Sequence, residues 1–83
     1  MNKIELDCLK YHSKKELLSY LRDNLEEMYS LNYDSLLDAL TGYEFPLEIN
    51  IKNKTLYEDY PNLKEVFEIV TKENKNIKVN YLD

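Results

Sequence analysis

Leu47-Glu48-Ile49-Asn50-Ile51 alternates apolar and polar side chains, the period of a strand with one face on a core and the other toward water. Pro46 stands just before it, where a missing N–H matters least, and Lys52, Asn53 and Lys54 end it. The same alternation occurs in Lys3-Ile4-Glu5-Leu6 and in Asn76-Ile77-Lys78-Val79-Asn80-Tyr81. Helical patterns separate the three runs. Strands joined through helices are most simply parallel, with right-handed crossovers. A parallel sheet buried on both faces reads as continuous apolar runs, and these strands do not. The expected fold is therefore α/β and two-layered: a three-stranded parallel sheet with helices packed mainly on one face.

The helices carry their own end signals. Ser13-Lys14-Lys15-Glu16 fits a capping box, in which Ser13 and Glu16 satisfy each other's backbone donors. A first helix is expected from Lys14 to about Glu26, burying Leu17, Leu18, Leu21 and Leu25. Asp7 to His12 reads as a connection, Glu27 to Leu31 as an irregular link, and Thr55 to Tyr60 as a brief helical turn. A firmer helix follows Pro61, with Leu63, Val66, Phe67 and Val70 inward and Lys72 and Lys75 at its negative end.

Between the first and second strands lies Asn32-Tyr33-Asp34-Ser35-Leu36-Leu37-Asp38-Ala39-Leu40-Thr41-Gly42-Tyr43. Asn32 suits the N-cap of a short helix, and Gly42 is expected to close it in the left-handed conformation. Tyr33, Leu36, Leu37 and Leu40 form an apolar stripe at helical spacing. At about 100° per residue, Asp34, Asp38 and Thr41 fall within roughly 60° of each other on another side, with Leu37 at the edge between. Two acids one turn apart repel slightly, so the helix gains nothing from them. Their arrangement points to a use outside the helix.

Eighty-three residues with 43% hydrophobic and 33% charged side chains suit one small domain, residues 1–83. One cysteine, Cys8, excludes an internal disulfide and fits a reducing compartment. Lys3, Glu5, Asp7 and Lys10 leave no room for a signal-peptide core, and no run reaches about 18 apolar residues. A cytoplasmic location is expected. The net charge of −5 is unevenly distributed. From Asp23 to Ile51 there are seven acids and no Lys or Arg, whereas the remainder holds nine acids and eleven bases. Such a field repels nucleic acid and membrane surfaces and speeds association with a basic partner. Neither is expected to bind; as a bland alternative, the acids form a solvated face.

Little else in the chain carries chemistry. A single glycine permits no phosphate-binding glycine loop, and one Cys with one His makes no zinc motif. Cys8 and His12, four apart, lack the further groups a metal site or an activated nucleophile needs. Tyr11 and Tyr20 read as partly buried fillers. Asp34 and Asp38 are the one carboxylate pair worth weighing as acid and base, but both sit on a helix face expected to be wet. No catalytic residue, metal or cofactor is assigned. Acids bordered by Leu37 and flanked by Tyr29 and Tyr43 fit an anchor cluster for a protein partner.

The stretch from Tyr29 to Tyr43 resembles the signature of the barstar family, roughly Y-G-x-N-x-D-A-L-W-D-x-L-T-G-W. It matches at Tyr29, Asn32, Asp34, Leu36, Asp38, Leu40, Thr41 and Gly42, and Phe45-Pro46-Leu47 follows as in that family's second strand. The resemblance implies a two-layer domain with three parallel strands that inhibits a small, basic, secreted-type ribonuclease inside the cell, as a heterodimer, and is a monomer when unbound. It further implies that Asp38 occupies the enzyme's phosphate position, paired with arginines and a catalytic histidine. Asp34 pairs with basic groups at the rim, while Asn32, Thr41, Gly42 and Tyr43 add polar and shape contacts. Leu37 stands where the prototype has tryptophan, Met28 where it has tyrosine, and Ser30 where the family has glycine. Ile69 stands in place of a third interface acid, with Glu68 adjacent. The alternative is a binding module or immunity protein of the same fold for another basic partner.

Overall fold

A computed structural model of the chain describes residues 2–25 and 28–82. The elements run β1 (Asn2–Asp7), a 3-10 turn (Cys8–Lys10), α1 (Lys14–Asn24), α2 (Tyr33–Thr41), β2 (Leu47–Lys52), α3 (Lys54–Tyr57), α4 (Pro61–Glu73) and β3 (Ile77–Tyr81). The strands form one sheet in the order β1-β2-β3, with both pairs parallel. The α/β class and the three-stranded parallel sheet expected from the alternation are those observed.

The alternation also sets the layers. Ile4 and Leu6 on β1, Leu47, Ile49 and Ile51 on β2, and Ile77 on β3 are buried beneath the helices. The residues between them meet across the open face, where Lys3, Glu48 and Lys78 share one register row and Glu5, Asn50 and Asn80 the next. Asn80 Nδ2 donates to Glu48 Oε1 at 2.6 Å and to Asn50 Oδ1 at 3.0 Å, so that face is polar and internally bonded. Above the apolar face, Leu17, Leu18 and Leu21 of α1, Leu36, Ala39 and Leu40 of α2, and Leu63, Val66, Phe67 and Val70 of α4 complete one core. Burying a side chain of this size contributes about 1.5–3 kcal/mol.

Two local expectations are corrected. Ser13 Oγ accepts from Glu16 N at 3.2 Å, but the Glu16 carboxylate accepts from His12 N at 2.7 Å rather than from Ser13. The longer Glu side chain reaches one residue further back and ties down the incoming chain. The first helix ends at Asn24, with Leu25 as its C-cap in an extended conformation. It thus stops at Leu25, just short of the expected end near Glu26; Glu26 itself and the start of the link at Glu27 lie outside the described residues. Tyr11 and Tyr20 are half-buried, with ring centroids 5.3 Å apart, and the Tyr20 hydroxyl donates to Glu5 O at the outer edge of β1. Among the described residues, no helix is long and apolar enough to cross a membrane, and no group of His, Cys, Asp or Glu could hold a metal ion.

Asp7 and Asn53 clamp the ends of β1 and β2. Asp7 Oδ1 accepts from Leu9 N at 3.0 Å and from Asn53 Nδ2 at 2.5 Å. These bonds, chiefly the backbone one, hold the Asp7 carboxyl below its ordinary pKa. Asn53 has a φ of 59°, the left-handed region that asparagine tolerates better than most residues. A folded-state pKa that is lowered stabilises the fold above the unfolded value near 3.8, and that contribution is lost as pH falls through the folded value. Urea unfolding between pH 6 and pH 2.5 is expected to show an acid loss that shrinks in Asp7→Asn. Asn53→Ala is expected to cost about 1–3 kcal/mol and Asn53→Gly less, because only alanine adds backbone strain to the lost bond.

Candidate functional site

The second helix is held at both ends and along its underside, which fixes the direction of its outer face. Asn32 is extended, and its side-chain oxygen accepts from Ser35 N at 2.7 Å, as an N-cap should. Lys14 Nζ of α1 lies 5.6 Å from the centre of the Tyr33 ring, a cation–π contact of about 0.5–1 kcal/mol where exposed. Tyr33 is half-buried beside Tyr60, and burial pushes its phenol pKa up. Leu36, Ala39 and Leu40 bury the underside, and α2 packs chiefly on α4. Ala39 completes the apolar stripe, which the spacing of the larger residues alone did not include.

The C-terminal end is closed differently from the expectation. Gly42 has φ −89° and ψ 1°, not the left-handed conformation. Its N–H donates to Asp38 O at 3.1 Å, and Tyr43 N donates to Leu40 O at 3.2 Å, so the last turn simply tightens. The remaining carbonyls of this end, buried or partly buried, are met from a distant element. Asn74, the C-cap of α4, is buried, and its Nδ2 lies 2.9 Å from Leu40 O, 2.9 Å from Tyr43 O and 3.4 Å from Thr41 O. Its Oδ1 accepts from Asn76 N at 3.0 Å, and Asn76 Nδ2 reaches Glu44 O at 3.3 Å. A left-handed glycine is unnecessary where another chain segment supplies the donors. Glycine still matters for space, since a Cβ at position 42 would stand 3.3 Å from Asp38 O.

The frame presents the candidate residues unequally. Asp34 and Asp38 are both exposed, and no Lys or Arg side chain pairs with either among the described residues. Asp34 lies in the first turn, where the helix dipole favours an acid, whereas Asp38 opens the last turn, where the dipole opposes it. Leu37 is half-buried against the core beside them. Thr41 Oγ1 donates to Leu37 O at 2.9 Å and to Asp38 O at 3.3 Å, so its hydroxyl offers a ligand only an acceptor. The Tyr43 hydroxyl accepts from Asn2 Nδ2 at 2.6 Å, and its ring meets Phe45 edge-on at 6.4 Å. Tyr43 is thus largely a fixed wall, beside a cleft of about 560 Å³ also lined by Leu25, Ala39, Phe45 and Leu47. Tyr29 is 86% exposed in the loop before the helix, a large ring left to solvent. The structure therefore brings Asp34, Asp38, Leu37 and Thr41 together on one short helix, with Asn32, Gly42 and Tyr43 at its ends and Tyr29 in the preceding loop.

Asn74 is the site residue that sequence reasoning missed. The available signal was an asparagine directly after a helix ending in Thr71-Lys72-Glu73, but its partners lie more than thirty positions away. Compared with known proteins, the chain matches no family model and no curated sequence.

Asn74→Ala is expected to destabilise the fold by about 1–3 kcal/mol, because it strips donors from buried carbonyls. It should also raise amide exchange of Gly42 and Tyr43 more than that of Ser35. Gly42→Ala is expected to cost less than about 1 kcal/mol, because the backbone dihedrals there suit any residue and only the 3.3 Å approach of the new Cβ to Asp38 O opposes it; chemical denaturation of both variants measures the contrast.

Proposed function

We propose that this chain is an intracellular protein inhibitor of a small basic ribonuclease, blocking the active site with the acids of α2. The observation that carries this reading is Asp38. It is an exposed acid at the end of a rigidly held helix that is electrostatically worse for having it, within a 29-residue stretch free of Lys and Arg. The match of Tyr29, Asn32, Asp34, Asp38, Thr41 and Gly42 to the barstar signature supports the same reading, as does the two-layer parallel fold. Asp38 acts as a stand-in for the substrate phosphate, accepting charge-assisted hydrogen bonds from the arginines and histidine that grip that anion. Asp34 pairs at the rim, Tyr29 and Leu37 supply apolar area, and Asn32, Thr41, Gly42 and Tyr43 complete the contact. The complex is a heterodimer formed in the cytoplasm. Its formation is speeded by opposite charge and slowed by salt.

A second reading keeps the surface and changes the target. Leu37 is an aliphatic edge where the family prototype has tryptophan, and half-buried Ile69 offers no third acid, although Glu68 next to it is exposed. A basic protein other than the prototype's enzyme suits these substitutions.

Cleavage of RNA by a guanyl-specific ribonuclease, followed as the purified chain is titrated in, separates the two. Inhibition at one-to-one stoichiometry is expected on the first reading, and its absence at every ratio removes it for that enzyme. Asp38→Ala should weaken the complex by about 3–5 kcal/mol, a hundredfold or more, because it leaves the partner's cations buried and unpaired. Glu65→Ala, on the exposed side of α4, should leave affinity unchanged. The same Asp38→Ala chain should be more stable on its own by a few tenths of a kcal/mol, since it removes a charge the helix end opposes.

A further inference from the structure

The two outer edges of the sheet are finished differently. On β1 the Tyr20 hydroxyl donates to Glu5 O at 2.6 Å, and the Tyr11–Tyr20 pair lies alongside. On β3 nothing comparable is present among the described residues. Leu47 N donates to Asn76 O and Leu82 N to Ile51 O, so the even-numbered residues of this segment turn their backbone groups toward β2. Because the direction alternates along a strand, Ile77, Val79 and Tyr81 turn theirs outward. Ile77 N is bonded to Asn74 O at 3.2 Å, while Val79 and Tyr81 make no bond on that side among the described residues. Beside this edge runs a groove of about 310 Å³ between β3 and α4, lined by Phe67, Glu68 and Thr71 of α4 and by Ile77, Lys78, Val79 and Tyr81 of β3. Tyr81 is 48% exposed and Leu82 51%. An open strand edge with apolar side chains along it is a template for another strand.

We propose that the β3 edge pairs with the β3 edge of a second copy of this chain, antiparallel about a two-fold axis at Val79, giving one continuous six-stranded sheet. The sequence of the edge favours its own copy as the occupant. With Val79 on the axis, the two valines form a hydrogen-bonded pair and exchange both N–H···O=C bonds. On either side Tyr81 N donates to Ile77 O of the second copy, and Ile77 N keeps its bond to Asn74 O. On the core side, Val79 meets Val79, and each Ile77 meets the aromatic ring of Tyr81, an apolar pairing in every position. On the polar side, Lys78 of each chain faces Asn80 of the other, so no ammonium is set directly opposite another. The joint is short, at the low end of interface areas, so it forms at high concentration and leaves the dilute chain monomeric. It also lies on a different element from Asp34 and Asp38, so it does not need the inhibitor reading.

Sedimentation equilibrium of the full chain from about 10 μM to about 2 mM, with amide exchange at both ends of that range, tests the pairing. The expected result is a mass rising toward two chains, with a midpoint of about 0.1–1 mM. Protection of the Val79 and Tyr81 amides should rise with concentration. Val79→Pro removes an outward-facing N–H, which an edge strand tolerates, and exchanges the partly buried valine for another apolar side chain. It should raise the midpoint at least about tenfold while the far-ultraviolet circular dichroism is unchanged. Asn80→Lys, which sets ammonium against ammonium across the axis, should do the same and serves if the proline chain fails to fold. A single-chain mass at every concentration overturns the proposal. So does a dimer whose midpoint neither folded variant moves, or one that leaves the Val79 and Tyr81 amides unprotected.

Discussion

The buried amide of Asn74 is the interaction on which the geometry of α2 rests. A helix of nine residues is too short to hold itself in water, and its C-terminal carbonyls are the groups most in need of partners. One side chain from the end of α4 supplies donors to that end, and its oxygen is fixed in turn by Asn76 at the entry to β3. The outer face of α2 is thereby referenced to the sheet through a hydrogen-bonded relay rather than through loop stiffness. The N-terminal end has its own fixings in the Asn32 cap and the Lys14–Tyr33 contact. A helix held in this way can present charges without rearranging, which lowers the ordering cost of binding.

What α2 presents works against its own stability. Asp38 faces the negative end of the helix dipole, Asp34 adds repulsion one turn away, and Tyr29 leaves a large ring in water. Each term is a fraction of a kcal/mol to about 1 kcal/mol, small beside the burial of Leu36 and Leu40 beneath. The core can therefore support a face arranged for another purpose. The polar side of the sheet shows the opposite economy: Asn50, Asn80 and Glu48 bond to one another and project little unmet chemistry.

Much of the fold was legible in local pattern. The alternation of Leu47 to Ile51 predicted a one-sided sheet, and helical spacing predicted Leu17, Leu18, Leu21, Leu63, Val66, Phe67 and Val70 as core. These signals repeat within one or two turns, so a single sequence displays them. The misreadings came where the deciding partner is distant. Gly42 suggested a left-handed closure because the usual rule assumes that a helix must close itself, and Asn74 was unremarkable because its acceptors belong to another element. Asn53, whose φ is positive, was read merely as a strand end. At the candidate site, the positions of Asp34 and Asp38 on one face followed from spacing. That the Thr41 and Tyr43 hydroxyls are already engaged did not, since this depends on Leu37 O and on Asn2 across the fold.

The central claim is that the outer face of α2 is a recognition surface for a basic protein. Amide chemical-shift mapping of the labelled chain, on addition of an equimolar small basic ribonuclease, tests it most directly. The account predicts that the perturbed amides centre on Tyr29 to Tyr43, with the largest shifts around Asp38, and that added salt diminishes them. A spectrum left unchanged, or shifts centred on the polar sheet face at Lys3, Glu48 and Lys78, would contradict it.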